Sequence, residues 1–159
     1  MLDLTTKTIA ELIDPKGFDC ECGKKHAVSI KYVKTGRGVI NCVPEMIAAL
    51  GAKKPFVLCD KNTYRAAGEK VCAILKDAGI EYGCYVIPGE RISPAEWEIG
   101  SLIMHFDPRC DMLLAIGSGV INDICKVAGH ALRLPSAVVG TGPSMDGYAS
   151  TSSAWRSPM

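Results

Sequence analysis

The sequence predicts an α/β fold, a parallel sheet flanked by helices, on three observations. Apolar runs of strand type alternate with longer amphipathic stretches, the pattern of βαβ units. Glycine or proline stops each amphipathic stretch before the next run begins. Finally, Met112–Ser150 reads strand, glycine turn, helix, strand, glycine turn, with its polar groups gathered at the two turns.

Taken in order, Leu4–Ile13 carries a short helical pattern through Ile9, Leu12 and Ile13, and Asp14-Pro15-Lys16-Gly17 ends it. Phe18–His26 and the strand-like run Ala27–Val33 predict a hairpin around the Glu21–Lys24 turn. Gly36-Arg37-Gly38 turns the chain, and Val39–Ile40 lead into a helix over Val43–Leu50. Pro44 suits its first turn and Gly51 its left-handed end. Pro55–Cys59 is a buried-type strand ending at Asp60. Helix Thr63–Ala78 buries Tyr64, Ala67, Val71, Ile74, Leu75 and Ala78 at a period near 3.6 and stops at Gly79.

Glu81–Ile87 is the next strand. Ser93-Pro94-Ala95-Glu96 predicts a capping box for a helix facing inward through Ile99, Leu102, Ile103 and Phe106. Asp107-Pro108 breaks that helix before the strand Met112–Ile116. The last helix carries the stripe Ile121, Ile124, Cys125, Ala128 and Leu132, with His130 on its solvated face, and Ala137–Val139 is the last buried strand.

At 159 residues with 48% hydrophobic content, residues 1–159 fit one domain with a sizeable core. The formal charge is +1, and no block of like charge occurs, which gives no footprint for nucleic acid or a membrane surface. No apolar run approaches the roughly 18 residues of a membrane span, and the N-terminus lacks the basic and apolar regions of a secretory signal. Eight cysteines, mostly inside apolar runs, then read as reduced thiols of a cytoplasmic protein. Cys20, Cys22 and His26 suggest a metal triad, but a single residue separates the two cysteines and no fourth ligand is near. A hairpin turn is the preferred reading.

In an open α/β sheet, ligands sit at the carboxyl ends of the strands. Asp60, Gly117-Ser118-Gly119 and Gly140–Ser144 all fall there. Glycines at a strand-to-helix turn bring backbone N–H groups close to a phosphate, and the helix N-terminus favours its charge. A phosphate-bearing cofactor across the two turns is therefore expected. Asp60 could accept from a ribose diol or cap the following helix. Asn122 stands where a G-x-G-x-x-G pattern has its third glycine, so the ordinary dinucleotide fingerprint is weak here. Asp123 and Lys126 lie within reach of the cleft or form a surface ion pair. Thr141, Ser144, Asp146 and Ser150 make the second turn dense in polar groups, though such residues also serve ordinary turns.

At GSGVINDICK (Gly117–Lys126) and TGPSMDGYAS (Thr141–Ser150) the sequence resembles the sn-glycerol-1-phosphate dehydrogenases. These fall within the glycerol dehydrogenase, iron-containing alcohol dehydrogenase and dehydroquinate synthase superfamily. FDCECGKKH (Phe18–His26) and Asp60 also look like bacterial members. The resemblance runs to about Ala154 and implies a Rossmann-like sheet, the N-terminal domain of a two-domain dehydrogenase-like fold.

The resemblance also implies that Asp60 lies near the adenosine ribose of NAD or NADP. Gly117, Ser118, Gly119, Val120, Ile121, Asn122 and Asp123 would wrap the pyrophosphate and ribose. Thr141, Gly142, Pro143, Ser144 and Ser150 would also contact cofactor. Asp146 would contact substrate, and Lys126 is a further candidate. The implied reaction, a step of phospholipid biosynthesis, interconverts dihydroxyacetone phosphate and sn-glycerol 1-phosphate. A divalent metal (zinc, nickel or iron) polarises the oxygen. The family's metal ligands, an Asp and two His, lie downstream in a helical domain, and no metal ligand is assigned in this chain. Trp155, Arg156 and Pro158 depart from the pattern. The expectation is a cofactor-binding half, inactive alone and homo-oligomeric when complete. Rival readings are a glycerol dehydrogenase-like enzyme on an unphosphorylated polyol, or a non-catalytic nucleotide- or metal-binding module.

Overall fold

The computed structural model describes residues 6–150 and Ser153. The chain divides into two compact units, Met1–Arg37 and Gly38–Met159. In the first, α1 (Ile9–Leu12) starts at Thr8, whose hydroxyl accepts from the Glu11 N–H while the Glu11 carboxylate accepts from the Thr8 N–H. This capping box makes α1 shorter than the pattern over Leu4–Ile13 suggested; Leu4 lies outside the described residues. β1 (Phe18–Asp19) and β2 (Lys25–His26) pair antiparallel, as the hairpin reading expected. Residues 27–33 form no strand, however. Alternating apolar residues make a strand only beside a ladder partner, and none is described next to them.

In the second unit a 3₁₀ turn, Val39–Cys42, leads into α2 (Val43–Ala49). β3 (Pro55–Asp60) follows, then α3 (Lys61–Thr63), a π-helical turn Tyr64–Gly68, and α4 (Glu69–Asp77). β4 (Gly83–Ile87), α5 (Glu96–His105), β5 (Met112–Gly117), α6 (Gly119–Leu132) and β6 (Ser136–Gly140) complete it. The four strands are all parallel, in the order β4-β3-β5-β6. The α/β class and the parallel sheet are as the sequence predicts.

Helix ends follow the turn chemistry. Gly51 (φ 74°) and Gly79 (φ 68°) sit in the left-handed region, where glycine avoids the Cβ clash. The next residues, Ala52 and Ile80, donate back to the Ile47 and Leu75 carbonyls. α6 ends the same way on a non-glycine: Arg133 has φ 56°, and Leu134 donates to the Gly129 carbonyl.

Several boundaries differ from the sequence reading. The helix expected over Thr63–Ala78 begins at Lys61, because Asp60 caps it, and Ala78 at its other end is exposed. β4 begins at Gly83, where a Cβ would meet the Phe56 ring at 2.5 Å. The Ser93–Glu96 capping box does not form: α5 starts from an extended Ala95 with no side-chain cap. Ala95 is itself the extended N-cap residue (φ −114°, ψ 169°), so the N-cap falls two residues beyond Ser93.

Central strands β3 and β5 are buried almost throughout, while edge strand β6 is only half-buried. Phe56, Leu58, Leu113 and Ala115 join Ile99 and Leu102 of α5 and Ile121, Ile124, Cys125 and Ala128 of α6 in one cluster. The alternate residues Val57, Cys59, Leu114 and Ile116 are equally buried, so both faces are covered. Each such aliphatic side chain contributes about 1.5–3 kcal/mol. At the amino edge, the Asp111 carboxylate accepts from the N–H groups of Lys53 (2.7 Å) and Lys54 (2.9 Å), tying the start of β3 to β5.

Candidate functional site

The strand order fixes where a ligand can enter. From β3 the chain crosses to β4 on one side, then returns to β5 on the other side of β3. The crevice between the carboxyl ends of β3 and β5 is therefore the topological switch point. Asp60 ends β3, and Gly117 ends β5 at the Ser118 turn. The second turn joins them: Gly117 pairs in register with Gly140, and the Thr141 N–H donates to the Gly117 carbonyl at 3.1 Å. Two glycine turns that are 23 residues apart in sequence, by their numbers 117 and 140, are thus neighbours on one sheet edge.

The first turn has the features a phosphate requires. Ser118 is the N-cap of the 14-residue α6 but makes no side-chain cap bond, and the first turn carries no acidic residue. The Asn122 N–H is the first to bond back into the helix, to the Ser118 carbonyl at 3.0 Å. The N–H groups of Gly119, Val120 and Ile121 belong to the turn whose intrahelical partners are missing, and the positive end of the helix dipole has no carboxylate to offset it. By contrast, α3 is fully capped. Asp60 Oδ1 accepts from Asn62 (2.7 Å) and Thr63 (2.8 Å), and the Thr63 hydroxyl takes the Asp60 N–H. The alternative role raised for Asp60, a helix cap, is present. Both bonds use Oδ1, so Oδ2 is open among the described residues.

Space at the glycines is uneven. A Cβ on Gly117 would meet the Cβ of Ile121 at 2.6 Å, whereas one on Gly142 would meet nothing within 4 Å. On Gly119 it would meet the Met145 side chain, its sulfur at 2.8 Å and its Cγ at 3.8 Å. The strand end is therefore pressed against α6, while the two other glycines leave backbone accessible.

Residues 141–150 fold back over this edge. The Tyr148 hydroxyl donates to the Gly142 carbonyl at 2.7 Å, and burial raises its pKa. Lys126 donates to the Gly147 carbonyl at 2.5 Å, so it braces this loop. Thr141 and Gly142 are half-buried; Pro143, Ser144, Asp146 and Ser150 are exposed, with Asp146 preceding the 3₁₀ turn Gly147–Ala149. Asp123 is half-buried, and its carbonyl accepts from the Ser153 hydroxyl at 3.3 Å. Asn122 is only 3% exposed, and its Nδ2 has no partner among the described residues. The sequence reading missed Tyr148 as the brace of this loop. A tyrosine two residues after Asp146 was the available signal.

A cavity of about 200 Å³ at the carboxyl ends of β3 and β4 is lined by Lys61, Asn62, Arg65, Gly89 and Glu90. Two cations that the sequence reading did not single out, Lys61 and Arg65, line it together with the Glu90 carboxylate. Among the described residues, only Cys20, Cys22 and His26 form a group of three metal-type side chains close enough to share an ion, and they lie in the first unit. The uncapped start of α6 lies at the carboxyl edge of the sheet, in the second unit. No helix of the described residues is long and apolar enough to cross a membrane.

A parallel α/β domain with paired glycine turns at its switch point defines a domain of the nucleotide-binding type of architecture. More particularly, residues 34–157 match the iron-containing alcohol dehydrogenase family, and the chain belongs to it. It is 30% identical over 136 residues to the glycerol-1-phosphate dehydrogenase (NAD(P)+) of Halalkalibacterium halodurans, covering 83% of this chain and 34% of that protein. The enzyme of the same name from Bacillus subtilis (strain 168) is 26% identical over 138 residues, covering 85% and 35%. Among solved structures, the glycerol dehydrogenase of Schizosaccharomyces pombe shares the fold with a TM-score of 0.63 at 24% identity, over 70% of this chain and 28% of that one. The chain spans about a third of the length of the curated relatives it matches.

Proposed function

We propose that this chain is the cofactor-binding part of an NAD(P)-dependent dehydrogenase acting on sn-glycerol 1-phosphate and dihydroxyacetone phosphate. The hydrogen bond from Thr141 to Gly117 carries the reading, because it joins two glycine turns at the switch point beside Asp60. The relatives' names support the substrate, since six curated relatives at 25–30% identity are glycerol-1-phosphate dehydrogenases, beside one maleylacetate reductase at 27%.

In this reading the N–H groups of Gly119, Val120 and Ile121 hold the pyrophosphate at the uncapped end of α6. Gly117 and Ser118 form the turn, Asn122 and Asp123 border it, and Asp60 Oδ2 accepts from the adenosine ribose. Thr141, Gly142, Pro143, Ser144 and Ser150 line the cofactor from the second turn. Asp146 faces substrate on a loop that Lys126 and Tyr148 hold in place. The nicotinamide, when bound, accepts or donates a hydride. NADP is admitted as well as NAD: Asp60 alone would repel a 2′-phosphate, but Lys61 and Arg65 of the cavity at the ends of β3 and β4 supply compensating charge. The divalent metal and a homo-oligomeric state belong to the complete enzyme in this proposal.

Calorimetric titration with NADH and NADPH tests the cofactor reading. Micromolar-range binding of both is expected, and Arg65→Ala should weaken NADPH about tenfold, roughly 1.4 kcal/mol, while sparing NADH. No binding of either nucleotide would overturn the proposal. In the complete enzyme, turnover of glycerol 1-phosphate well above glycerol is expected; the reverse preference would assign it to unphosphorylated polyols.

A further inference from the structure

We propose that Cys20, Cys22 and His26 form a zinc site that staples the hairpin of the first unit, with the fourth coordination position open to solvent. This site lies within the first unit, and the proposal does not depend on how the second unit's strand ends are read. The need for it is visible in the packing. No described residue of the first unit is buried, and β1 and β2 are two residues long. An isolated two-stranded ribbon of that length is marginal in water, and small units without a core depend on a cross-link or a metal.

The geometry supplies the ligands. Cys22 Sγ lies 3.2 Å from His26 Nε2, and the ligand atoms of all three residues lie within 4.8 Å of one another. Tetrahedral zinc with the usual bond lengths requires S···S and S···N edges of roughly 3.6–3.8 Å. The Cys22–His26 edge must open by about 0.4 Å, and the other two edges must shorten by no more than about 1.2 Å, for the triangle to close on an ion. The single-residue spacing that counted against zinc in the sequence works because of the turn. The Cys20 N–H donates to the Lys24 carbonyl (3.0 Å), and the Gly23 N–H donates to the Cys20 carbonyl (2.9 Å). Gly23 takes the left-handed backbone (φ 79°) that reverses the chain and brings His26 back over both thiols.

The ring is also held. Phe18 stacks on His26 with centroids 5.7 Å apart. Gly17, at φ 64°, leaves room for the His26 carbonyl, which a Cβ would strike. Two sulfurs and an imidazole suit zinc rather than the hard cations calcium and magnesium.

Cobalt is the probe, added to the reduced, metal-stripped chain. One equivalent should give a thiolate-to-cobalt charge-transfer band and the intense visible absorption of a tetrahedral site, both displaced by zinc. Lys24 and Lys25 lie inside the loop that the ion would close, so trypsin reports on it directly. At zinc ten times its dissociation constant, cleavage there should slow about elevenfold. Cys22→Ser should abolish the band and the protection, and Cys84→Ser should keep both. Cys22 is exposed and lies in the first unit, so its replacement opens no cavity in the core of the second. A band that survives Cys22→Ser, no band in the unaltered chain, or trypsin cleavage indifferent to zinc would each overturn the proposal.

Discussion

Alanine at Gly117, Gly119 and Gly142 separates packing from ligand binding at the paired turns. At Gly117 the new methyl would sit 2.6 Å from Ile121 Cβ and 2.8 Å from its Cγ1. The first of these atoms is fixed to the helix backbone and no rotamer moves it away, so β5 and α6 must part. Overpacking of this kind costs about 1–3 kcal/mol. For a chain of this size each kcal/mol lowers the melting temperature by about 2–4 °C, so a fall of roughly 2–12 °C is expected. At Gly142 nothing lies within 4 Å and no positive φ is required. Alanine there should leave stability unchanged or raise it by up to about 1 kcal/mol through the unfolded chain. Gly119 is intermediate, since only the flexible tip of Met145 must yield. If a pyrophosphate lies against these two backbones, both variants should lose about tenfold or more in NADH affinity while keeping their melting temperature. Calorimetry for melting and fluorescence titration with NADH read the two effects independently. Unchanged NADH affinity in Gly142→Ala would refute the cradle, and an unchanged melting temperature in Gly117→Ala would refute the tight strand–helix contact.

Other perturbations are equally specific. Arg133→Gly relieves a left-handed residue at the end of α6 and should stabilise the chain by about 0.5–1 kcal/mol, read as a higher melting temperature. The Cys84 thiol is exposed yet pushed up to about 11, first by its hydrogen bond with Cys59. From an ordinary value of about 8.5, and allowing for the greater nucleophilicity of a more basic thiolate, it should react with iodoacetamide roughly twentyfold slower than free cysteine at neutral pH. Peptide mass mapping after a short pulse checks this. Arg109, with its side chain first and its N–H second, holds the Asp107 carboxyl well below its ordinary range, and Lys54 adds an ion pair at 3.3 Å. A depressed carboxylate stabilises the fold above the unfolded value of about 4, and that stability is lost as pH falls through the depressed one. The melting temperature should therefore fall on acidification below about pH 4, and less steeply in Asp107→Asn.

The sheet was legible in the sequence because its central strands are nearly continuous apolar runs: Pro55–Asp60 and Met112–Gly117 have almost no polar residue to misplace. The helix ends at Gly51 and Gly79 were legible for a similarly local reason, since one residue type suits that backbone. Starts were harder. Ser93-Pro94-Ala95-Glu96 has the composition of a capping box, yet the chain at Ala95 is extended and the helix begins after it. At Asp60 the sequence offered two roles, and the cap is formed with one oxygen only, which leaves the second role compatible with the first. The strand order could not be read from sequence at all. Adjacency of β3 and β5 depends on long-range pairing, and that adjacency puts Asp60 beside the Gly117 turn.

Asn122 shows most directly how this edge departs from the common dinucleotide fold. The third glycine of G-x-G-x-x-G lets helix and strand pack closely. Here the close approach is made at Gly117 against Ile121, one turn into α6, which frees position 122 to carry a side chain. That side chain is 3% exposed, and its Nδ2 finds no partner among the described residues. An unsatisfied buried amide costs about 1–3 kcal/mol, and removing it in favour of an apolar group of similar shape is close to neutral or stabilising. Leucine also has the better helix propensity. Asn122→Leu should therefore melt no lower than the unaltered chain. If the amide is retained for the cofactor, the same variant should bind NADH about tenfold more weakly, the loss expected for one buried hydrogen bond of roughly 1.4 kcal/mol. A melting temperature several degrees lower would mean that Nδ2 has a partner within the protein. Unaltered NADH affinity would remove Asn122 from the cofactor site and leave its burial to packing alone.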